Sequence, residues 1–208
     1  MRLFRGTLSA GSLRFRIILT LVGLTMALGV VALVYSTIDL TNILEERLEK
    51  QGTAIARDLA AESAILSPIN DVFGLFDMVN DNLANNEDVL YIFLVEPSGD
   101  IRVHTFERGV ARGLVEANGP GPGQSAKIRR LNTSEGPVID IAVPGSGWQG
   151  SDVRVGMTLA NIRRQVLIHI RDLSLLVVAA TLASFGASLF LSSLLTRPLV
   201  RLAEGAKA

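Results

Sequence analysis

The sequence has no cysteine, only two histidines, one tryptophan and two tyrosines in 208 residues. Without cysteine there is no disulfide framework, no thiolate nucleophile and no thiolate metal site. The two histidines, His104 and His169, fall in separate regions, so neither has a partner at metal-ligand spacing. No glycine-rich loop follows a strand and opens a helix, which removes a phosphate cradle. A charge excess is also lacking: 20 basic residues stand against 20 acidic ones. A nucleic-acid binder would show a basic surface instead. The chain therefore offers no catalytic constellation, no metal set and no cofactor motif, and we expect it not to be an enzyme.

Long apolar runs are what it has in excess. Mean hydropathy is +0.39. Arg16 and Asp39 enclose 22 uncharged residues, and Asp172 and Arg197 enclose 24. At about 1.5 Å per residue each run reaches roughly 33 Å or more, enough to cross a hydrocarbon core of about 30 Å. This reading excludes a soluble cytosolic protein and makes membrane lipid a partner. It divides the chain into an N-terminal tail (1–16), a first transmembrane helix (17–38), a central domain (39–172), a second transmembrane helix (173–196) and a short C-terminal piece (197–208). The tail holds Arg2, Arg5, Arg14 and Arg16 and no acid, and the last piece holds Arg197, Arg201 and Lys207 against Glu204. The central domain keeps 13 basic and 19 acidic residues. Basic residues beside span ends stay cytoplasmic, so both termini are expected inside and the central domain outside, in the periplasm of a bacterium with a multi-pass inner-membrane protein. The first run is too long for the apolar part of a signal peptide and lacks a small-residue cleavage site, so it is expected to remain as an anchor.

The central domain changes period along its length. Leu44, Ile55 and Leu66 recur every 11 residues, as do Leu48 and Leu59, which keeps one stripe on a nearly straight helix ending at Pro68. A second helix fits Asp71 to Leu83, with Val72, Phe76, Val79 and Leu83 on one face. Val89–Val95 is a continuous β-branched and aromatic run that suits a strand buried on both faces, and Ile101–Phe106 alternates after the turn Pro97-Ser98-Gly99-Asp100. Residues 109–123, dense in Gly and Pro, read as a mobile loop. Lys127–Leu131, Val138–Val143 and Val153–Met157 supply three more strands, and Leu159–Asp172 resumes a helical pattern. Strands that follow helices rather than alternating with them indicate an α+β fold with about five antiparallel strands.

The run "VLYIFLVEPSGDIRVHT" resembles the first hairpin of single Cache domains, the PAS-like extracellular sensors of bacteria, and "GPVIDIAVP" and "VRVGMTLANI" are similar to that family's last strands and exit helix. "LLTRPLVRLAEGAKA" looks like the opening of a HAMP linker, with Pro198 directly after the membrane helix and Leu199 and Leu202 beginning a coiled-coil stripe. The resemblance implies the input half of a transmembrane receptor, most like a sensor histidine kinase in a two-component system, whose output domain lies outside this sequence. A chemoreceptor or a cyclic-dinucleotide enzyme uses the same input module. A membrane-anchored periplasmic binding protein, complete in these residues, is the alternative from another class.

Candidate ligand-binding residues lie on the strands. Arg102 and His104 share one strand face, while Asp140 and Arg154 interrupt otherwise apolar strands. Together they could make a cationic patch with one carboxylate beneath the 109–123 loop, suited to a small anionic ligand. Tyr91, in the buried run, and Trp148, in a tight turn, complete the candidate set. The other arrangement pairs Asp140 with Arg102 or Arg154 on a solvated sheet face. His169 reads as a polar residue at the membrane edge. In the second span Ala180, Ser184, Ser188 and Ser192 make a stripe of small residues, and Gly23 and Ala27 a shorter one in the first, which favours helix contact in lipid and a homodimer.

Overall fold

The computed structural model describes residues 10–66, 71–107, 109–111, 113–121, 123–145 and 151–205, with the side chains of 10–14, 17 and 191–205 outside the description. Pro68 and Trp148 therefore lie outside the described residues. The element order is α1 (Ala10–Leu66), α2 (Val72–Asn85), β1 (Val89–Val95), β2 (Ile101–His104), α3 (Leu114–Ala117), β3 (Lys127–Thr133), β4 (Gly136–Pro144), β5 (Asp152–Thr158) and α4 (Ala160–Gly205). The fold is α+β. Two compact units divide it, one formed by Met1–Asp39 with Val166–Ala208 and the other by Leu40–Gln165.

The Leu40–Gln165 unit is built on a five-stranded antiparallel sheet in the order β2-β1-β5-β4-β3. Side chains alternate between its faces. Ile92 and Leu94 of β1, Ile139 and Ile141 of β4, and Val153, Val155 and Met157 of β5 are all buried. The cross-strand pairs Ile92–Val155, Ile139–Met157 and Ile141–Val155 put them on one face. There α1 packs, bringing Leu48, Gly52, Ala56, Leu59, Ala60 and Ser63 inward. Gly52 lies so close to Ile141 and Met157 that a Cβ would fall 2.7 Å from Met157 Cγ. The small residues at 52, 56 and 60 thus let the helix backbone approach the sheet. The 11-residue repeat located Leu48 and Leu59 on the packed face, whereas Leu44, Ile55 and Leu66 are half-buried beside it.

In α2 the buried residues are Leu75, Met78 and Val79. This corrects the expected face: Val79 belongs to it, but Val72 and Phe76 are exposed and Leu83 is only half-buried. Asp71 is the N-cap rather than the first helical residue, its carboxylate accepting from the Gly74 N–H at 2.9 Å. The 109–123 segment also departs from expectation. It contains α3, whose Leu114 is buried and whose C-cap Asn118 is buried and hydrogen-bonded to Asp140, so this described part is a strap tied to the sheet.

In the other unit, α1 and α4 each have an apolar stretch long enough to cross a membrane. Their outward side chains are apolar and exposed, among them Val31, Tyr35, Leu175 and Leu182. Thr25 and Ser184 share a hydrogen bond at 3.0 Å and Ser36 and His169 one at 2.9 Å. A Cβ on Gly29 would fall 2.6 Å from Val177 Cγ1, so glycine permits the close approach. This is the kind of contact that the small residues Gly23 and Ala27 were expected to provide; a Cβ added at Gly23 would meet open space. On α4, Ser188 is buried, Ser184 half-buried and Ala180 exposed, while the side chain of Ser192 lies outside the described residues. The helical backbone of α4 includes Pro198, Leu199 and Leu202, whose side chains are likewise outside the description.

Candidate functional site

The second face of the sheet carries the polar chemistry. Tyr91, Gly156 and Asp140 form one cross-strand row over β1, β5 and β4, and Phe93, Arg154 and Ala142 form the next. Glycine at 156 lets the Tyr91 ring lie flat over β5, since any Cβ there would overlap the ring. The ring thereby spans a whole strand, and its hydroxyl donates to Asp140 Oδ2 at 2.6 Å. Arg154 meets the other oxygen: its Nε and Nη2 lie 2.8 and 2.7 Å from Asp140 Oδ1. Asn118 Nδ2 also donates to Oδ1, at 2.8 Å.

The guanidinium reaches the strap as well. It donates to the backbone carbonyls of Leu114 and Val115, both at 3.1 Å, and to that of Asn118. Its carbon sits 5.0 Å from the centre of the Phe93 ring, a cation–π arrangement. Arg154 is 1% and Asp140 0% exposed, so the pair is sealed from solvent. A buried charge is tolerated only when paired and hydrogen-bonded, and here the contacts tie the three strands β1, β5 and β4 to one another and to the strap. Burial pushes the Tyr91 phenol far above its ordinary value; the neighbouring Asp140 charge and hydrogen bond push the same way, and Arg154 opposes them. Burial also raises the carboxyl of Asp152 at the start of β5, with Arg154 pulling it down.

Of the candidate residues, the structure thus brings Tyr91, Asp140 and Arg154 together. The ion pair anticipated on a solvated face is formed by Asp140 and Arg154, but in the interior. Arg102 lies elsewhere, its Nη1 donating to Glu96 at 2.8 Å near the β1–β2 turn. His104 occupies the same cross-strand row as Arg154 with Phe93 between them. Two strand spacings, about 10 Å, separate their backbones. Asn118, Gly156 and Leu114 were not singled out from the sequence. A glycine inside the strand run "VRVGMT" signals a close approach by another group, and "LVEA" between glycines signals a helical turn inside the loop.

Between the strap and the sheet lies a cleft of about 860 Å³. Tyr91 and Leu114 line its interior together with Phe106 and Leu131, and Glu107 and Glu135 stand at its edge. The Tyr91 and Phe106 rings are stacked with centroids 5.0 Å apart. Among the described residues, no three histidine, aspartate or glutamate side chains converge in a way that could hold a metal ion. Set beside known proteins, the chain matches no protein-family model and no curated sequence.

Proposed function

We propose that the chain is the input and transmembrane-signalling part of a bacterial sensor, most like that of a histidine kinase. In this reading the Leu40–Gln165 unit is a PAS-like sensory domain outside the inner membrane. The apolar segments of α1 and α4 span the bilayer, and both termini lie in the cytoplasm. The stretch from Pro198 begins a HAMP-like linker that passes the signal to an output domain, and the assembly is a homodimer.

One observation carries the reading. β5, which holds Arg154 at the centre of the buried network, passes through the single residue Leu159 into α4, a helix unbroken from Ala160 to Gly205. A rearrangement at the strap that alters Arg154 therefore acts on the strand that opens the helix. Signalling requires two arrangements whose balance a stimulus biases, and a continuous helix gives displacement no local hinge in which to dissipate.

Two experiments test it. A reporter active only in the periplasm should work when joined at Gly121 and be silent when joined after Ala208; the reverse overturns the orientation. Joined to the cytoplasmic half of a histidine kinase, the chain should set the rate of autophosphorylation in membranes, and Asn118→Ala, which loosens the strap, should change that rate. Equal rates for both folded chains would overturn the signalling reading.

A further inference from the structure

α2 spends Leu75, Met78 and Val79 on its contact with β1 and β2, and a second apolar group on the same helix is left uncovered. Phe73 is 86% exposed, Phe76 50% and Val72 44%. Side chains three and four apart on a helix are neighbours, so these three make one patch rather than scattered surface residues. Rows four residues apart form the ridges of a helix. One ridge runs Val72–Phe76 and the adjacent one Phe73–Asp77–Asp81, with both aspartates exposed. The outer face of α2 is thus aromatic on one flank and anionic on the other. The Asp71 N–H donates to the Leu66 carbonyl at 3.2 Å, which sets the last turn of α1 beside the first turn of α2, and Ile65 in that last turn is 71% exposed.

Charge decides what can cover this face. Between Arg57 and Arg102 the sequence places nine acidic residues and no lysine or arginine, and α2 lies in the middle of that stretch. A second copy packed on the same face would oppose Asp77 and Asp81 with an equally acidic surface, and an anionic lipid surface would be repelled as well. Aromatic anchors beside a rim of one charge fit a partner with apolar anchors and the opposite rim. We propose that the outer face of α2 docks a basic amphipathic helix of another protein, its apolar side on Val72, Phe73 and Phe76 and its lysines or arginines on Asp77 and Asp81. The proposal stands apart from the sensory reading, since it concerns a surface of the Leu40–Gln165 unit alone.

The test uses the full chain in nanodiscs of zwitterionic lipid and three short peptides. One has leucine on one helical face and lysine on the other, one has glutamate in place of lysine, and one is a scrambled form of the first. Binding is titrated against empty nanodiscs, and its place is read as amide-exchange protection across 72–85. The leucine–lysine peptide should bind and protect α2, less so as salt rises, with the glutamate and scrambled peptides at least ten-fold weaker. Phe73→Ser with Phe76→Ser should weaken that binding at least ten-fold, and Asp77→Asn with Asp81→Asn several-fold with loss of the salt dependence. All four side chains are exposed, so exchange in the peptide-free chains should stay as in the parent and show them folded. Equal binding of the glutamate or scrambled peptide, binding that survives the Phe73 and Phe76 changes, or no binding beyond that to empty nanodiscs overturns the proposal. So does efficient disulfide formation between chains by Phe73→Cys, which would give the face to a second copy.

Discussion

The hydroxyl of Tyr91 on β1 reaches Asp140 on β4 by crossing over Gly156 of the intervening strand, at 2.6 Å. Two residues on strands that never pair are thus joined by a side chain, and a glycine is the condition for it. Tyr91→Phe leaves the Asp140 carboxylate short of a donor in the interior and should cost about 1–3 kcal/mol. Gly156→Ala drives a methyl group into the ring and should cost a similar amount by overpacking. Since both remove one interaction, their combined cost in chemical denaturation should fall below the sum of the single costs. Strict additivity would show that the ring and the glycine act independently.

The Asp140–Arg154 pair permits a sharper test. Asp140→Asn leaves a guanidinium buried without its counter-charge, and Arg154→Met leaves a buried carboxylate; each should destabilise by about 3–5 kcal/mol. The double change Asp140→Leu with Arg154→Met should recover much of that loss, because no unpaired charge remains. It also removes the donor to the carbonyls of Leu114, Val115 and Asn118. Amide exchange across 113–119 should therefore accelerate in the double variant even where global stability returns. A strap equally protected in both chains would show that Arg154 does not hold it.

Much of the sheet was readable because a short continuous β-branched and aromatic run is a strong signal: Val89–Val95 is buried nearly throughout, as a strand covered on both faces must be. Asp140 and Arg154 also stood out as charges in apolar strands. What could not be read was strand adjacency. Arg102 and Arg154 look alike in sequence, but the order β2-β1-β5-β4-β3 puts β5, and not β2, beside β4. Arg154, one row along from Asp140 on that neighbouring strand, therefore reaches it with its side chain, and Arg102 finds Glu96 instead. Helix faces failed for a different reason. α2 is apolar on more than one side, so spacing allowed two faces, and packing selected Leu75, Met78 and Val79. In α1 a search for large apolar residues overlooked Gly52, Ala56 and Ala60, whose smallness is what makes the contact.

Asp152 gives a pH dependence. Burial raises its carboxyl above the ordinary value, with Arg154 only partly offsetting this. The folded state then holds the proton more tightly than the unfolded one, so stability from this group is complete below the unfolded value and declines as pH rises through the folded value. Asp152→Asn carries no such term. The variant should gain stability relative to the parent as pH climbs from the ordinary carboxylate range toward neutrality, and the difference should then level off. Parallel stability curves for the two chains across this interval would remove Asp152 as the cause.

In the apolar unit, the pairing of Thr25 with Ser184 and the approach of Gly29 to Val177 assign the inner part of the small-residue stripe to contact within one chain. Ala180 is exposed and free of that contact. Because the chain has no cysteine of its own, the assignment can be read by oxidation. Thr25→Cys with Ser184→Cys should form a disulfide inside a single chain, giving a monomer of altered mobility that reverts on reduction. Ser184→Cys alone should stay largely unlinked, while Ala180→Cys reports any contact between chains. Gly29→Leu, which forces a branched side chain against Val177, should suppress the 25–184 link by separating the helices. If Ser184→Cys alone yields a covalent dimer as efficiently as Ala180→Cys, the serine face meets another chain, and the pairing with Thr25 is not the arrangement in the bilayer.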